Sequence, residues 1–445
     1  MPSWTPRSGQ SHVRSQSRVI LPLNWPYALL CWKKNIALLF GWAYIIYTVN
    51  ILLSPMNIAN PAVVVVLTLL AFLSIRVTFL FDNRTPPTLR FATINGLRGY
   101  LAFFVMLHHA GMWYMWVGTG KWVSPESNLY ENLGQSSVIM FFMITSFLFY
   151  DKLLNSRARD FDWRSFFIGR FFRIAPLYYV ILFLIFLTVA HLSHWRMVDS
   201  SQAILLSITK WVLFTIPNAV AINGVGETSL IVAGVTWTLR YEWFFYLALP
   251  LISLLAGQRP SLLILIVSVA ALALAWRIGL DRRYVAVFAG GIIAASLVRN
   301  RSFIGFCEKK VASLLVLICL AVVLQFSSSL KIIPCIALII AFCMIAGGAD
   351  IFGLLSLRTS HRFGELAYGI YLIHGMVLFT AINLLVGREV TASMSVPIYW
   401  AFVALLALVT LGLAGLAYHY VEKPGIELGK RFQRRGIRLP VPSKA

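Results

Sequence analysis

The chain has 445 residues, 59% of them hydrophobic and only 12% charged, with a mean hydropathy of +0.79. A soluble domain carries about 25% charged residues, so a soluble globular fold is excluded and a polytopic membrane protein is indicated. The formal charge of +22 does not point to nucleic acid, because the basic residues sit in short segments between apolar runs, where they mark the cytoplasmic side of a membrane.

Residues 1–35 are basic and polar (Arg7, Arg14, Arg18, Lys33, Lys34) and are read as a cytoplasmic tail, with no cleavable signal peptide expected. Apolar runs follow at about 37–53 and 61–81, joined by S-P-M-N-I-A-N-P. Residues 1–90 are therefore read as a tail plus an accessory two-helix hairpin. The core starts near residue 91, with spans predicted at about 97–117, 135–151, 174–192, 235–256, 261–276, 284–299, 311–327, 332–347, 367–386 and 396–419. The fold expected is an all-α integral membrane protein of about twelve transmembrane helices, ten in a core over 91–425 and two in the hairpin. Residues 426–445 form a basic cytoplasmic tail. The five cysteines are Cys31, Cys307, Cys319, Cys335 and Cys343, an odd number without metal spacing, so neither a disulfide framework nor a metal site is indicated.

The stretch 203–220 is interrupted by Lys210 and Pro217. If it crossed the membrane, Arg299, Arg301, Lys309, Lys310 and the C-terminal basic run would face outward, against the positive-inside rule. Residues 193–234 are therefore placed outside as a long loop with a re-entrant or surface helix, and both termini in the cytoplasm. Arg277, Arg282 and Arg283 fit this arrangement worst, because it puts them outside.

Within the core, N-G-L-R-G-Y-L-A-F-F-V-M-L-H-H (95–109) carries Arg98 and His109 into an apolar helix. They are eleven residues apart, about three turns or roughly 16 Å along one face. Ionisable groups in a membrane helix are costly and by default suggest a functional site. His108 lies about 100° round the helix and cannot share the role of His109. The loop 152–173 ends in R-F-F-R, which sets Arg170 and Arg173 on one helical face at the cytoplasmic boundary. Two guanidiniums there make a phosphate clamp or, on charge alone, an ordinary positive-inside or lipid-headgroup contact. In V-T-W-T-L-R-Y-E-W-F-F-Y-L-A-L-P (235–250), Glu242 is an acid inside an apolar helix, and Arg240 points to another face. In F-G-E-L-A-Y-G-I-Y-L-I-H (363–374), Tyr368, Tyr371 and His374 share one stripe, where the tyrosines also suit interfacial anchoring. His191 and His194 lack a third ligand for a metal.

These stretches together resemble the membrane-bound acyltransferase-3 family over about 91–425. The Arg98-to-His109 stretch looks like its first motif, an Arg followed after ten residues by a His. F-F-M-I-T-S-F-L is similar to the family's F-F-x-x-S-G-F-L, with Thr145 at the Ser and Ser146 at the Gly position. R-x-x-R before I-x-P-L-Y resembles its second signature. Trp237, Glu242, Phe245, Tyr246 and Pro250 match a third, and Tyr368, Tyr371 and His374 a fourth. The final Y-V-E-K-P resembles a closing E-x-P through Glu422 and Pro424, read as a structural helix stop.

The resemblance implies O-acyl transfer, acetyl first, from acyl-CoA to a hydroxyl of a carbohydrate such as exopolysaccharide or lipopolysaccharide. Succinyl or longer acyl transfer is the alternative chemistry, and a non-enzymatic transporter or assembly component of polysaccharide export the alternative class. Acyl-CoA is expected as co-substrate, with no permanently bound cofactor and no metal. The expected partners are the lipid bilayer, the carbohydrate acceptor and polysaccharide synthesis machinery, in a bacterial inner (plasma) membrane. His109 is expected to be the base or a transient acyl carrier, because an imidazole can take a hydroxyl's proton near neutral pH. Arg98, Arg170 and Arg173 are expected to hold CoA phosphates. Glu242 is expected to orient His109 or the acceptor, and Tyr246, Tyr371 and His374 to contact substrate.

Overall fold

In lipid every backbone N–H and C=O has to be bonded within its own segment, so apolar runs of this composition become helices. The computed structural model describes residues 57–78, 90–156, 161–216 and 218–435. The expected N-terminal tail, the first hairpin helix and the end of the C-terminal tail lie outside them. Helices in chain order are α1 Pro61–Thr78, α2 Ala92–Thr119, α3 Asn128–Leu154, α4 Trp163–Leu192, α5 Ser201–Val212, α6 Trp237–Ser253, α7 Leu262–Arg277, α8 Phe288–Leu297, α9 Arg301–Cys307, α10 Lys310–Val323, α11 Ile332–Ala346, α12 Arg358–Phe379, α13 Val396–Ala417 and α14 Lys423–Arg435. No named strand occurs among the described residues.

The count of about twelve spans is not confirmed. Among the described residues, five helical stretches are long and apolar enough to cross a membrane: Asn128–Leu154, Trp163–Leu192, Trp237–Ala256, Arg358–Leu385 and Val396–Arg434. A sixth is formed if Arg282–Leu297 and Arg301–Cys307, bent by 106°, make one broken span. Helices such as α10 (14 residues) and α11 (15 residues) fall short, because about 20 residues are needed to cover about 30 Å of hydrocarbon. α2 has the length, 28 residues, but carries Arg98, His108 and His109.

α2 and α12 run parallel and pack more extensively on each other than any other pair. The approach needs glycine: a Cβ on Gly99 would overlap Phe363, and one on Gly364 would overlap the Asn95 carbonyl. Asn95 Nδ2 donates to the His361 carbonyl (3.1 Å), and the Tyr100 and Ser360 hydroxyls are 2.8 Å apart. This fixed register carries His109 to the level of His374.

α3 packs on the other side of α2 and against α8. Its Ser146, at the position where the resembling motif has glycine, bonds back to the Phe142 and Met143 carbonyls (both 3.1 Å). The close approach is made instead by Gly291 on α8, which lies against Met143 and Ser146. At the Leu154 end of α3, the buried Asp151 carboxylate takes Arg90 (2.9 Å), Arg299 (3.0 Å) and the Asn155 amide (3.0 Å), tying α2, α3 and α8 together.

α5 belongs to an excursion that leaves and returns. The Asn223 side chain bonds Val198 N (2.8 Å) and the Arg196 carbonyl (2.8 Å), and Gly224 N donates to Asp199 (2.9 Å). The far end of α5 is held to α4 by the Tyr178 hydroxyl on the Trp211 carbonyl (2.5 Å). The chain thus returns at Asn223 and Gly224 to the level of Arg196–Asp199. Of the basic residues that fit the expected sides worst, all three are exposed and two have local partners. Arg282 lies over the Trp276 ring (4.1 Å), and Arg283 bonds Asp281 (2.7 Å) and holds that carboxyl below its ordinary range.

Y-V-E-K-P does not stop the helix. Tyr418–Glu422 is a π-helical turn that leads directly into α14, with Pro424 in the first turn of α14, where the lack of an N–H costs little. The expected tail is thus helical as far as Arg435 and docked on α4, with Phe432 stacked on Phe172 (5.3 Å) and Gln433 Nε2 on the Ser165 carbonyl (2.6 Å).

Candidate active site

α2, α3, α4, α6 and α12 surround a cavity of about 360 Å³. Arg98, Thr145, Arg170, Arg173, Glu242, Tyr246, Tyr368 and Tyr371 all line it. Residues from the four stretches singled out in the sequence therefore meet at one place, with Thr145 on α3 between them.

The three guanidiniums are held differently. Arg173 Nη1 is 2.7 Å from Glu422 Oε2, a carboxylate buried at the π-helical turn. The other oxygen of Glu422, Oε1, is buried and has no partner among the described residues. Arg170 lies over the Phe149 ring at 4.7 Å and has no ion pair among the described residues. Arg98 likewise has no ion pair and no hydrogen bond among them. Glu242 accepts a hydrogen bond from the Tyr246 hydroxyl one turn along α6. With both glutamates ionised, the site keeps one positive charge in excess, and two guanidiniums are left for an anion. Guanidiniums suit phosphate, because their planar fork donates two parallel bonds.

Tyr368 and Tyr371 both line the cavity and bond inside the bundle. The Tyr368 hydroxyl bonds the Ile174 carbonyl (2.8 Å), with Arg173 over its ring (5.6 Å). The Tyr371 hydroxyl is 2.9 Å from Thr238 Oγ1.

His109 and His374 are not among the residues that line the cavity, but its wall abuts them, because the ring of Tyr371 is 6.3 Å from that of His374. His109 Nδ1 lies 2.9 Å from His374 Nε2, and the rings are within 18° of coplanar. His374 Nδ1 lies 2.9 Å from the Ile370 carbonyl, which can only accept. In a neutral ring that nitrogen therefore carries the proton, so Nε2 of His374 accepts and Nδ1 of His109 donates. The lone pair of His109 is left on Nε2, which has no hydrogen bond among the described residues. His374 is fully buried, while His109 keeps part of its surface open. Gly375 supports the pair from behind, because its missing side chain lets Val232 and Ala233 of the loop before α6 pack against α12.

Glu242 was expected to orient His109 or the acceptor; its hydrogen bond here is with Tyr246, and the side chain that meets His109 Nδ1 is His374. His108 bonds the Tyr130 carbonyl (2.8 Å) and serves the α2–α3 contact. Glu422 was missed as a site residue by sequence reasoning, although an acid directly after a long apolar run was a usable signal. Thr238 carried no such signal.

Residues 91–419 match the model of a protein family described as an acyltransferase domain. No curated protein and no solved structure matches the chain.

Proposed function

The chain belongs to the membrane acyltransferase-3 family, whose model spans residues 91–419, and from that premise we propose that it moves an acyl group, acetyl in the simplest case, from acyl-CoA to a hydroxyl of a carbohydrate. The observation that carries this reading is the pairing of two unlike places. One is a cavity with arginines free to bind an anion, and the other is a histidine whose Nε2 lone pair is set by its neighbour.

Arg98, Arg170 and Arg173 bind the phosphates of the donor. Arg98 and His109 are eleven residues apart on one helix, roughly 16 Å, so a donor anchored at the arginines extends its thioester toward the histidine. His109 Nε2 takes the proton of the acceptor hydroxyl as its oxygen attacks the thioester carbonyl. The tetrahedral intermediate collapses with cleavage of the C–S bond, and the imidazolium returns the proton to the leaving CoA thiolate. One ester forms, one thioester breaks, and free CoA leaves. His374 holds the tautomer of His109, and its own proton stays on Nδ1, donated to the Ile370 carbonyl. Glu242 acts through Tyr246 on the donor side. In this reading the chain sits in a bacterial inner membrane with its arginines toward the cytoplasm, where acyl-CoA is made, and it serves polysaccharide synthesis machinery on the other side.

The direct test is binding of CoA to the purified full chain in detergent by calorimetry. Saturable binding that is weakened in Arg98→Ala and Arg170→Ala is expected. Binding that is absent in the wild type contradicts an acyl-CoA donor and favours a transporter or an assembly component.

A further inference from the structure

The side of His109 toward the end of α2 is covered by tryptophan. α2 ends at Thr119, and residues 120–127 turn back over the bundle. The ring of Trp122 comes to lie nearly parallel to the His109 imidazole (17°, 6.2 Å between centroids) and edge-on to Trp113 (78°, 5.1 Å). Trp113 is four residues after His109, so both stand on one face of α2. Trp113 is fully buried, and its indole Nε1–H has no hydrogen-bond partner among the described residues. A buried donor without an acceptor is unfavourable and calls for an explanation. Trp122, in contrast, keeps part of its surface open.

A ligand that satisfies this place has a flat apolar face to lie on an indole and an oxygen to accept from Trp113 Nε1. A sugar ring has both: axial C–H groups on one face and oxygens on its edge. We propose that Trp122 and Trp113 form the acceptor subsite, where Trp122 stacks on the sugar ring and Trp113 Nε1 donates to one of its oxygens. The reacting hydroxyl is thereby held at His109, on the side away from the arginine cavity. This rests on the acyl-transfer reading and adds to it the place and chemistry of the acceptor. Trp122 then has a second effect: with no sugar bound, its ring covers His109 and keeps water from taking the hydroxyl's part.

The test uses the full chain in membranes, radiolabelled acetyl-CoA, and the host's own polysaccharide fraction as acceptor. Trp122→Ala is expected to raise the acceptor KM roughly tenfold, the loss of one aromatic stacking face, while the acetyl-CoA KM stays within about twofold. Hydrolysis of acetyl-CoA to acetate and CoA is expected to rise. Trp122→Phe is expected to restore most of the acceptor affinity. An unchanged acceptor KM in Trp122→Ala, or donor and acceptor KM values that rise together, overturns the subsite. If the wild type transfers no label, the acyl-transfer reading has failed, and carbethoxylation of His109 by diethyl pyrocarbonate, followed by mass spectrometry, decides the subsite separately. Protection of His109 by the polysaccharide fraction in the wild type, lost in Trp122→Ala, supports it. Protection that is absent, or equal in the two proteins, overturns it.

Discussion

His109 Nδ1 and His374 Nε2 are 2.9 Å apart, and the Ile370 carbonyl, 2.9 Å from the other nitrogen of His374, decides which of the two donates. His374 and Ile370, one turn apart on α12, thus fix the tautomer of an imidazole on α2. His374→Leu removes the acceptor and frees the His109 ring to turn or change tautomer. Its kcat is expected to fall about 10²-fold, as for a misplaced catalytic group, with the acyl-CoA KM little changed. His374→Gln, which keeps a side-chain acceptor, is expected to recover part of the loss. Steady-state kinetics on the two variants checks this, and an equal loss in both contradicts an orienting role.

Arg98 and Arg170 face the cavity without an ion pair among the described residues. Each is expected to give the donor a charge-assisted contact worth about 1.5–3 kcal/mol, so either alanine variant should weaken CoA binding roughly 10- to 100-fold. Arg98→Lys keeps the charge but loses the planar fork and should fall between. Calorimetric titration of the three proteins measures it.

Arg173 depends on Glu422, whose side chain is fully buried while that of Arg173 keeps 20% of its surface open. Breaking a fully buried pair costs about 3–5 kcal/mol, and the partial exposure of Arg173 reduces that figure here. Glu422→Ala is therefore expected to lower the Tm in detergent and to weaken CoA binding together. Glu422→Gln, which can still accept one hydrogen bond, should lose less of both.

The α2–α12 register rests on close backbone approach. Gly364→Ala places a methyl group on the Asn95 carbonyl, and overpacking of this kind costs about 1–3 kcal/mol. A lower Tm with loss of transfer is expected, because separating the helices also separates His109 from His374. Gly412→Ala, whose Cβ meets nothing within 4 Å, is the control that should leave both unchanged.

Much of the site was legible because ionisable and aromatic residues stood out in apolar helices. Arg98, Arg170, Arg173, Glu242, Tyr246 and Tyr371 reach one cavity, each from a stretch the sequence had singled out. What spacing along a helix does not carry is which faces of different helices meet. The His109–His374 contact depends on the register of α2 against α12, and that register is set by Gly99 and Gly364, which look unremarkable in a membrane helix. Glu422 was taken for part of a helix stop because a proline follows two residues later. A π-helical turn accommodates that proline and turns the carboxylate inward to Arg173. The count of about twelve spans is not confirmed, because an apolar run shows hydrophobicity without showing how much of it stays helical, and α8, α10 and α11 are each shorter than a full crossing.

The central claim is that the arginine cavity and the histidine pair form one acyl-transfer site. Its most direct test is transfer of label from radiolabelled acetyl-CoA to the host polysaccharide fraction, in membranes holding wild type, Arg98→Ala or His109→Ala at equal protein levels. Transfer in the wild type is expected, with loss of about 10²–10⁴-fold in His109→Ala, the usual contribution of a general base. Arg98→Ala should lose transfer at low acetyl-CoA and regain part of it at high concentration. Undiminished transfer in His109→Ala would contradict the account.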